Sequence, residues 1–252
     1  MPSVDLFSVE GRVAVVTGAS SGLGQHAATV LAQSGAKVVG VARRAEALDD
    51  WAGQNGDAAA VVAGDVADLT ALPDLVEKLS APFGAPDIVV HAAGLNPRLP
   101  ADELTPDTWN ATLAVNLTAP FFLSQAFVPA MKEKGWGRIV NFASLQSFRA
   151  FPNGMPYGAS KGGVAQMTRA MAEAWSSHGI TANAIGPGFF ETELTAAVFA
   201  DPERASRNAA QTCVGRNGAL TDLDGPLLFL CSDASSYVTG QIVMLDGGFT
   251  AK

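Results

Sequence analysis

Val13-Ala14-Val15-Val16-Thr17 runs directly into Gly18-Ala19-Ser20-Ser21-Gly22-Leu23-Gly24, and the reading of this junction decides the fold. A short apolar, β-branched run that ends in glycines reads as a buried strand. The residues after it read as a helix over about 22–34, closed by Gly35. Strand, glycine-rich turn and helix in that order suit an anion. The glycines let the backbone approach a pyrophosphate, and the helix start offers unbonded N–H groups and the positive end of a dipole. The spacing is G-x3-G-x-G rather than G-x-G-x-x-G. Gly18, Ser20, Ser21, Gly22, Leu23 and Gly24 are therefore candidate phosphate contacts. The competing reading is an ordinary strand–helix turn.

Working outward, the same alternation continues. Further β-branched runs at 37–41, 59–62, 87–91, 138–143, 181–185 and 241–245 bring the strands to seven. Helical patterns lie near 44–54, 69–80, 106–132, 156–178 and 222–232, with Thr105-Pro106 and Thr221-Asp222 as openings and Gly179 as a stop. Strands that are apolar almost throughout are covered on both faces. The chain is thus expected to form an α/β fold: a doubly wound, seven-stranded parallel sheet in a single dinucleotide-binding domain over 1–252. The stretch 189–217 breaks the rhythm, and a long excursion of this kind is expected to be a substrate loop or lid.

The second strand ends in Arg43 and Arg44, where an acid would bind a ribose 2′-hydroxyl. An arginine fork suits a 2′-phosphate instead. The expected cofactor is NADP(H), with NAD(H) also open. The alternative is that these arginines form only a solvated helix start.

Composition narrows the function classes. A net charge of −8 speaks against a nucleic-acid partner. With 48% hydrophobic and 16% charged residues the chain is expected to fold fully. No signal-peptide pattern is read in the first ten residues, and no uncharged apolar run of about 20 residues suggests a membrane span. Cys213 and Cys231 do not make a disulfide framework, and Cys231, within an apolar run, reads as core. These features suit a cytoplasmic protein. The three histidines, His26, His91 and His178, do not converge in sequence, so no metal site is expected.

Tyr157 and Lys161 stand four residues apart in a helical segment, which puts both on one face. A tyrosine with an unperturbed pKa of about 10 is a poor base at neutral pH, and a neighbouring ammonium would favour the phenolate. Alone, the pair is only suggestive.

With its neighbours it is specific. The chain resembles the short-chain dehydrogenase/reductase family over nearly its whole length. The family's Tyr-x3-Lys falls on Tyr157 and Lys161, its serine thirteen residues earlier on Ser144, and its helix asparagine on Asn116. The glycine motif is Thr17 to Gly24, the Asp-Val is Asp65-Val66, and the Pro-Gly-x3-Thr runs from Pro187 and Gly188 to Thr192. The resemblance implies that Tyr157 exchanges the proton with the substrate oxygen. Lys161 would hold the nicotinamide ribose and lower the tyrosine pKa. Ser144 would bond the carbonyl oxygen, and Asn116 would hold a relay water. Asp65 and Val66 would touch adenine and Thr192 the carboxamide. Taken singly, Ser144 reads as a strand-end hydroxyl and Asn116 as a helix-interior polar residue. In place of the family's Asn-Asn-Ala-Gly stands His91-Ala92-Ala93-Gly94. Ala92, Ala93 and Gly94 remain small enough to flank a cofactor, and His91 reads as structural.

For the substrate the candidates are Asn96, Arg98, Gln146, Arg149, Phe189 and Phe190, with Phe148 and Met155 beside them. Two arginines would suit a carboxylate, although both also read as solvated surface residues. Ser144-Leu145-Gln146-Ser147 and Asn183 to Gly188 resemble the subgroup that includes gluconate 5-dehydrogenase and 2-deoxy-gluconate 3-dehydrogenase. The expected reaction interconverts a secondary alcohol and a ketone on a sugar acid, polyol or related hydroxy compound. The alternatives are a 3-oxoacyl-carrier-protein reductase and a non-catalytic NADP(H)-binding protein. The resemblance further implies a homotetramer or homodimer.

Overall fold

A computed structural model describes residues 5–252; residues 1–4, part of the stretch read as lacking a signal peptide, lie outside it. Seven parallel strands form one sheet. They are β1 (Val13–Thr17), β2 (Lys37–Ala42), β3 (Ala59–Ala63), β4 (Ile88–His91), β5 (Gly137–Phe142), β6 (Ile180–Pro187) and β7 (Ile242–Leu245). Their order is β3-β2-β1-β4-β5-β6-β7. The winding direction reverses between β1 and β4, whose ends meet at Thr17 and His91. A crevice opens beyond the carboxyl ends of strands at such a reversal.

Successive residues of each strand feed opposite faces. Ala14, Val16, Val38, Ile88 and Val90 pack with Leu31, Leu48, Trp51, Leu227 and Leu230. Those partners lie on α1 (Gly22–Gln33), α2 (Ala45–Asn55) and, much later in the chain, the last helix. On the other face Val15, Val39, Val89 and Ile139 pack with Leu79, Leu123, Phe127, Met131 and Met171. These lie on α3 (Leu72–Ser80), α5 (Ala119–Lys134) and α6 (Met155–Trp175), with α4 (Pro106–Leu113) leading into α5. Strands dressed on both sides explain why the runs read as continuously apolar.

The structure departs from the sequence expectation at three places. Asp87 precedes β4 instead of opening it; its carboxylate accepts from the Val13 N–H at 2.9 Å and from Lys134 Nζ at 2.7 Å. The helix expected at 106–132 is split by a π-turn, Ala114–Thr118, between α4 and α5. Pro120 brings no N–H, so the carbonyl of Asn116 has no partner four residues on. Thr221-Asp222 does not open the last helix. Asp222 instead binds the Ala219 N–H and Arg216 in a 3₁₀ turn, and α9 runs Asp224–Cys231.

The helical run Pro106–Lys134 has the length and hydropathy of a membrane span, which the sequence reading did not foresee. It packs as core, however, with Ala119, Leu123, Phe127 and Met131 buried against the sheet. The stretch 189–217 carries α7 (Ala196–Phe199) and α8 (Pro202–Gln211), and Asp201 caps α8 by accepting from the N–H groups of Glu203 and Arg204.

Gly18 holds β1 close against β4 in the crevice. Its φ is +72°, and a Cβ there would stand 2.8 Å from the Ala93 backbone. Gly18→Ala is expected to cost about 1–3 kcal/mol from the left-handed backbone alone. The midpoint of urea unfolding should fall with an unchanged slope; a midpoint equal to wild type would show that β1 and β4 can part freely here.

Candidate active site

All the candidate phosphate residues, Gly18 and Ser20 to Gly24, line one cleft of about 690 Å³ at the β1/β4 crevice. That volume lies within the ordinary range for ligand sites. The start of α1 faces this cleft without neutralisation. Ser21, its N-cap, makes no side-chain cap, and the first turn holds no acidic residue. The positive end of the helix is thus free for an anion.

Arg44 leans over the same turn. Its guanidinium donates to Ser21 Oγ at 2.8 Å and Ser20 Oγ at 3.1 Å, and it binds Glu193 of the 3₁₀ turn Glu193–Thr195 at 3.0 Å. Arg43, Asp65 and Val66 line this end of the cleft. Ala92, Ala93 and Gly94 line its floor, where the Ala93 N–H is tied to Thr17 Oγ1 at 3.1 Å. Pro187, Gly188 and Thr192 line the opposite wall. His91 is buried just below. Burial depresses its pKa to about 3, so it is neutral, and its Nε2 lies 2.7 Å from Ser124 Oγ on α5. It braces β4 against α5 and does not reach the cleft lining.

Ser144, Tyr157 and Lys161 meet at the other end of the cleft. Ser144 follows β5, and its Oγ accepts from the Gln146 N–H at 3.1 Å. Tyr157 and Lys161 share a face of α6, with Nζ 5.5 Å from the phenol ring centroid. Asn116 is 1% exposed and does not line the cleft. Its side chain accepts from the Leu95 N–H at 2.8 Å and donates to the Leu95 carbonyl and to Ser160 Oγ. Ser160 Oγ in turn donates to the Tyr157 carbonyl at 2.7 Å. Asn116 therefore pins the loop after β4 to the turn that carries Tyr157.

The electrostatics differ from the expectation. Burial raises the Tyr157 pKa; the adjacent Ser144 hydroxyl and the charge of Arg98 oppose that rise. Lys161, not Arg98, was the cation expected to do this. Its ammonium turns instead to the Phe142 carbonyl at 2.6 Å, and burial lowers its pKa to about 8.

Asn96, Arg98, Gln146, Phe189 and Phe190 line the cleft near Tyr157. Arg98 is held at φ +52°, an uncommon backbone for a non-glycine residue, and its Nη2 donates to the Leu194 carbonyl at 3.4 Å. Arg149 is corrected: it is exposed, lies 5.6 Å over the Phe249 ring and does not line the cleft. Phe148 and Met155 are likewise exposed outside it. The 3₁₀ turn Leu145–Ser147 leaves Phe148 and Arg149 outside, and the chain meets the cleft again at Phe151 to Gly154.

Arg204 and Asn208 of α8 take the place expected for Arg149, and sequence reasoning missed both. They stand four apart behind the Asp201-Pro202 helix start, which puts them on one face. Among the described residues the Arg204 guanidinium has neither a hydrogen-bond acceptor nor an ion-pair partner. Asn208 is 9% exposed and its Nδ2 has no partner, as is also true of Asn96 Oδ1.

A glycine turn at the sheet's switch point, an uncapped helix start and a buried tyrosine beside a serine define a dinucleotide-dependent oxidoreductase. The model of the family described as enoyl-(acyl carrier protein) reductase matches residues 18–250. Gluconate 5-dehydrogenase of Gluconobacter oxydans is 40% identical over 99% of both chains. The 2-dehydro-3-deoxy-D-gluconate 5-dehydrogenase of Escherichia coli is 38% identical over 98% of both. A gluconate 5-dehydrogenase from Burkholderia cenocepacia, solved with NADP and tartrate, superposes with a TM-score of 0.92 at 37% identity, covering 98% of each chain. The chain belongs to this family of short-chain dehydrogenases/reductases.

Proposed function

We propose that the protein interconverts a secondary alcohol and a ketone on a sugar acid or closely related hydroxy acid, using NADP(H). The observation that carries the substrate class is the pairing of Arg98 with Arg204. The two guanidinium groups line one cleft without a carboxylate partner among the described residues, and burial together with repulsion from Arg204 lowers the Arg98 pKa. A substrate carboxylate supplies that partner, and a guanidinium fork binds it through two parallel hydrogen bonds. Asn208 Nδ2 and Asn96 Oδ1, both unsatisfied, suit substrate hydroxyls.

The residues present fit the cofactor. The uncapped start of α1 with Gly18 to Gly24 would take the pyrophosphate, and Arg44, Arg43 and Ser20 the 2′-phosphate. Asp65 and Val66 would flank the adenine, Ala92 to Gly94 and Pro187-Gly188 the nicotinamide half, and Thr192 the carboxamide. When bound, NADP(H) accepts or supplies the hydride. Tyr157 takes the hydroxyl proton in oxidation and returns it in reduction. Ser144 donates to the substrate oxygen as negative charge gathers there. Lys161, which donates to the Phe142 carbonyl, would hold the nicotinamide ribose. Asn116 holds the geometry of Tyr157 through Ser160.

The relatives that carry gluconate in their names support this reading, and the acidic surface suits a small-molecule substrate better than an acidic carrier protein. The protein acts as one domain with its lid at 189–217, as a cytoplasmic homotetramer or homodimer. The test is nicotinamide absorbance at 340 nm with NADP⁺ and a panel of sugar acids, neutral polyols and simple secondary alcohols. Turnover confined to the acids is expected, and equal turnover of neutral polyols would overturn the carboxylate assignment.

A further inference from the structure

The second strand lacks the acid that would disfavour a 2′-phosphate, but the folded lid supplies one. Glu193 stands in the 3₁₀ turn Glu193–Thr195 and reaches back to the end of β2, 149 residues earlier in sequence. Its Oε1 accepts from Arg44 Nη1 and its Oε2 lies 3.0 Å from Nη2. The same guanidinium is bonded to both Ser20 and Ser21, and all four residues line the cofactor cleft. A carboxylate of the chain itself thus occupies the anion position built from Arg44 and the serine hydroxyls.

We infer that Glu193 is a cofactor-selectivity residue: it competes with the 2′-phosphate of NADP(H) for Arg44 and so narrows the preference for NADP(H) over NAD(H). Three observations meet here. The pair is two-pronged, which is the geometry by which arginine also holds phosphate. The Ser21 hydroxyl and Arg44 together hold the Glu193 pKa below the usual carboxylate range, so the competitor stays charged at neutral pH. The adjoining Leu194 carbonyl is bonded by Arg98, so the same lid turn is fastened at the cofactor end by Arg44 and at the substrate end by Arg98. An arriving phosphate must share or displace the carboxylate. NAD(H), which has no charge at this position, leaves the pair intact and offers the carboxylate a ribose 2′-hydroxyl to accept from.

This inference rests on the NADP(H) reading above. The experiment is equilibrium binding of NADPH and NADH, followed by nicotinamide fluorescence, to wild type, Glu193→Gln, Arg44→Gln and the double variant. All these side chains are exposed at the cleft rim, so the variants should fold. Glu193→Gln should tighten NADPH about three- to fivefold, the size of one exposed ion pair. NADH should not tighten. In the Arg44→Gln background the gain should vanish. If Arg44→Gln weakens NADPH selectively while Glu193→Gln changes nothing, or tightens both cofactors alike, this inference fails and the cofactor reading stands. If wild type and Arg44→Gln both bind NADPH no better than NADH, the cofactor reading itself fails and this inference falls with it.

Discussion

Tyr157→Phe should lower kcat by about 10²–10⁴-fold, the usual contribution of a positioned acid/base, while leaving NADPH affinity within about twofold. The phenol is 9% exposed and stands between Ser144, Arg98 and Lys161, so the substituted ring keeps its packing and loses only the oxygen. The two buried bases nearest the site are already engaged elsewhere. His91 is neutral and bonded to Ser124, and Lys161 turns to the Phe142 carbonyl. The direction of catalysis sharpens the expectation. Alcohol oxidation needs the phenolate, and burial raises the tyrosine pKa, so the wild-type oxidation rate should climb with pH above neutrality. Ketone reduction needs the protonated phenol and should be flat across neutrality. In Tyr157→Phe the residual rate should lose this dependence. A variant within tenfold of wild type, with the same profile, would show that another group moves the proton.

Much of this site was legible before folding was considered. Each strand fell within a residue or two of its expected place because a strand covered on both faces must be apolar at every position, and that pattern survives in Val13–Thr17 as plainly as in Ile88–His91. The glycine turn and the one-face pairing of Tyr157 with Lys161 were legible from local spacing, whereas Ser144 was reached only through the resemblance to the short-chain dehydrogenase/reductase family. The rest depends on tertiary return. Nothing in the sequence around Arg204 shows that α8 folds back so that Arg204 and Asn208 line the cleft that Tyr157 lines. Nothing near Glu193 shows that it meets Arg44. Arg149 misled because it stands close to Ser144 in sequence, yet a single 3₁₀ turn sends it to the surface beside Phe249. Asp87 misled for a related reason: an acid at a strand start reads as part of the strand, whereas its carboxylate is spent on the Val13 N–H and Lys134.

Arg98 is where the substrate and the acid/base meet, and two substitutions there should separate its two tasks. Arg98→Gln removes both the charge and the fork. The kcat/KM for a sugar acid should fall about 10- to 100-fold, as expected for the loss of a charged hydrogen bond of about 1.5–3 kcal/mol. A neutral polyol has no carboxylate to lose, so its kcat/KM should change far less at a pH where the phenol is matched. The same substitution removes a positive charge that opposes the rise of the Tyr157 pKa, so the rising limb of alcohol oxidation should move to higher pH. Arg98→Lys keeps the charge without the fork. Its limb should stay near that of wild type while the KM for the acid still rises. Arg204→Gln tests the other half of the pair from α8. Burial and, after it, repulsion from Arg204 lower the Arg98 pKa, whereas the Tyr157 pKa is set by burial, Ser144 and Arg98. Loss of Arg204 should therefore raise the KM for the acid and leave the pH limb where it was. A neutral polyol that suffers as much as the acid in Arg98→Gln and Arg204→Gln alike would mean that the two guanidinium groups shape the cleft without holding a carboxylate. A limb that moves equally in Arg98→Gln and Arg98→Lys would mean that Arg98 acts on Tyr157 through packing, because the two variants differ in charge.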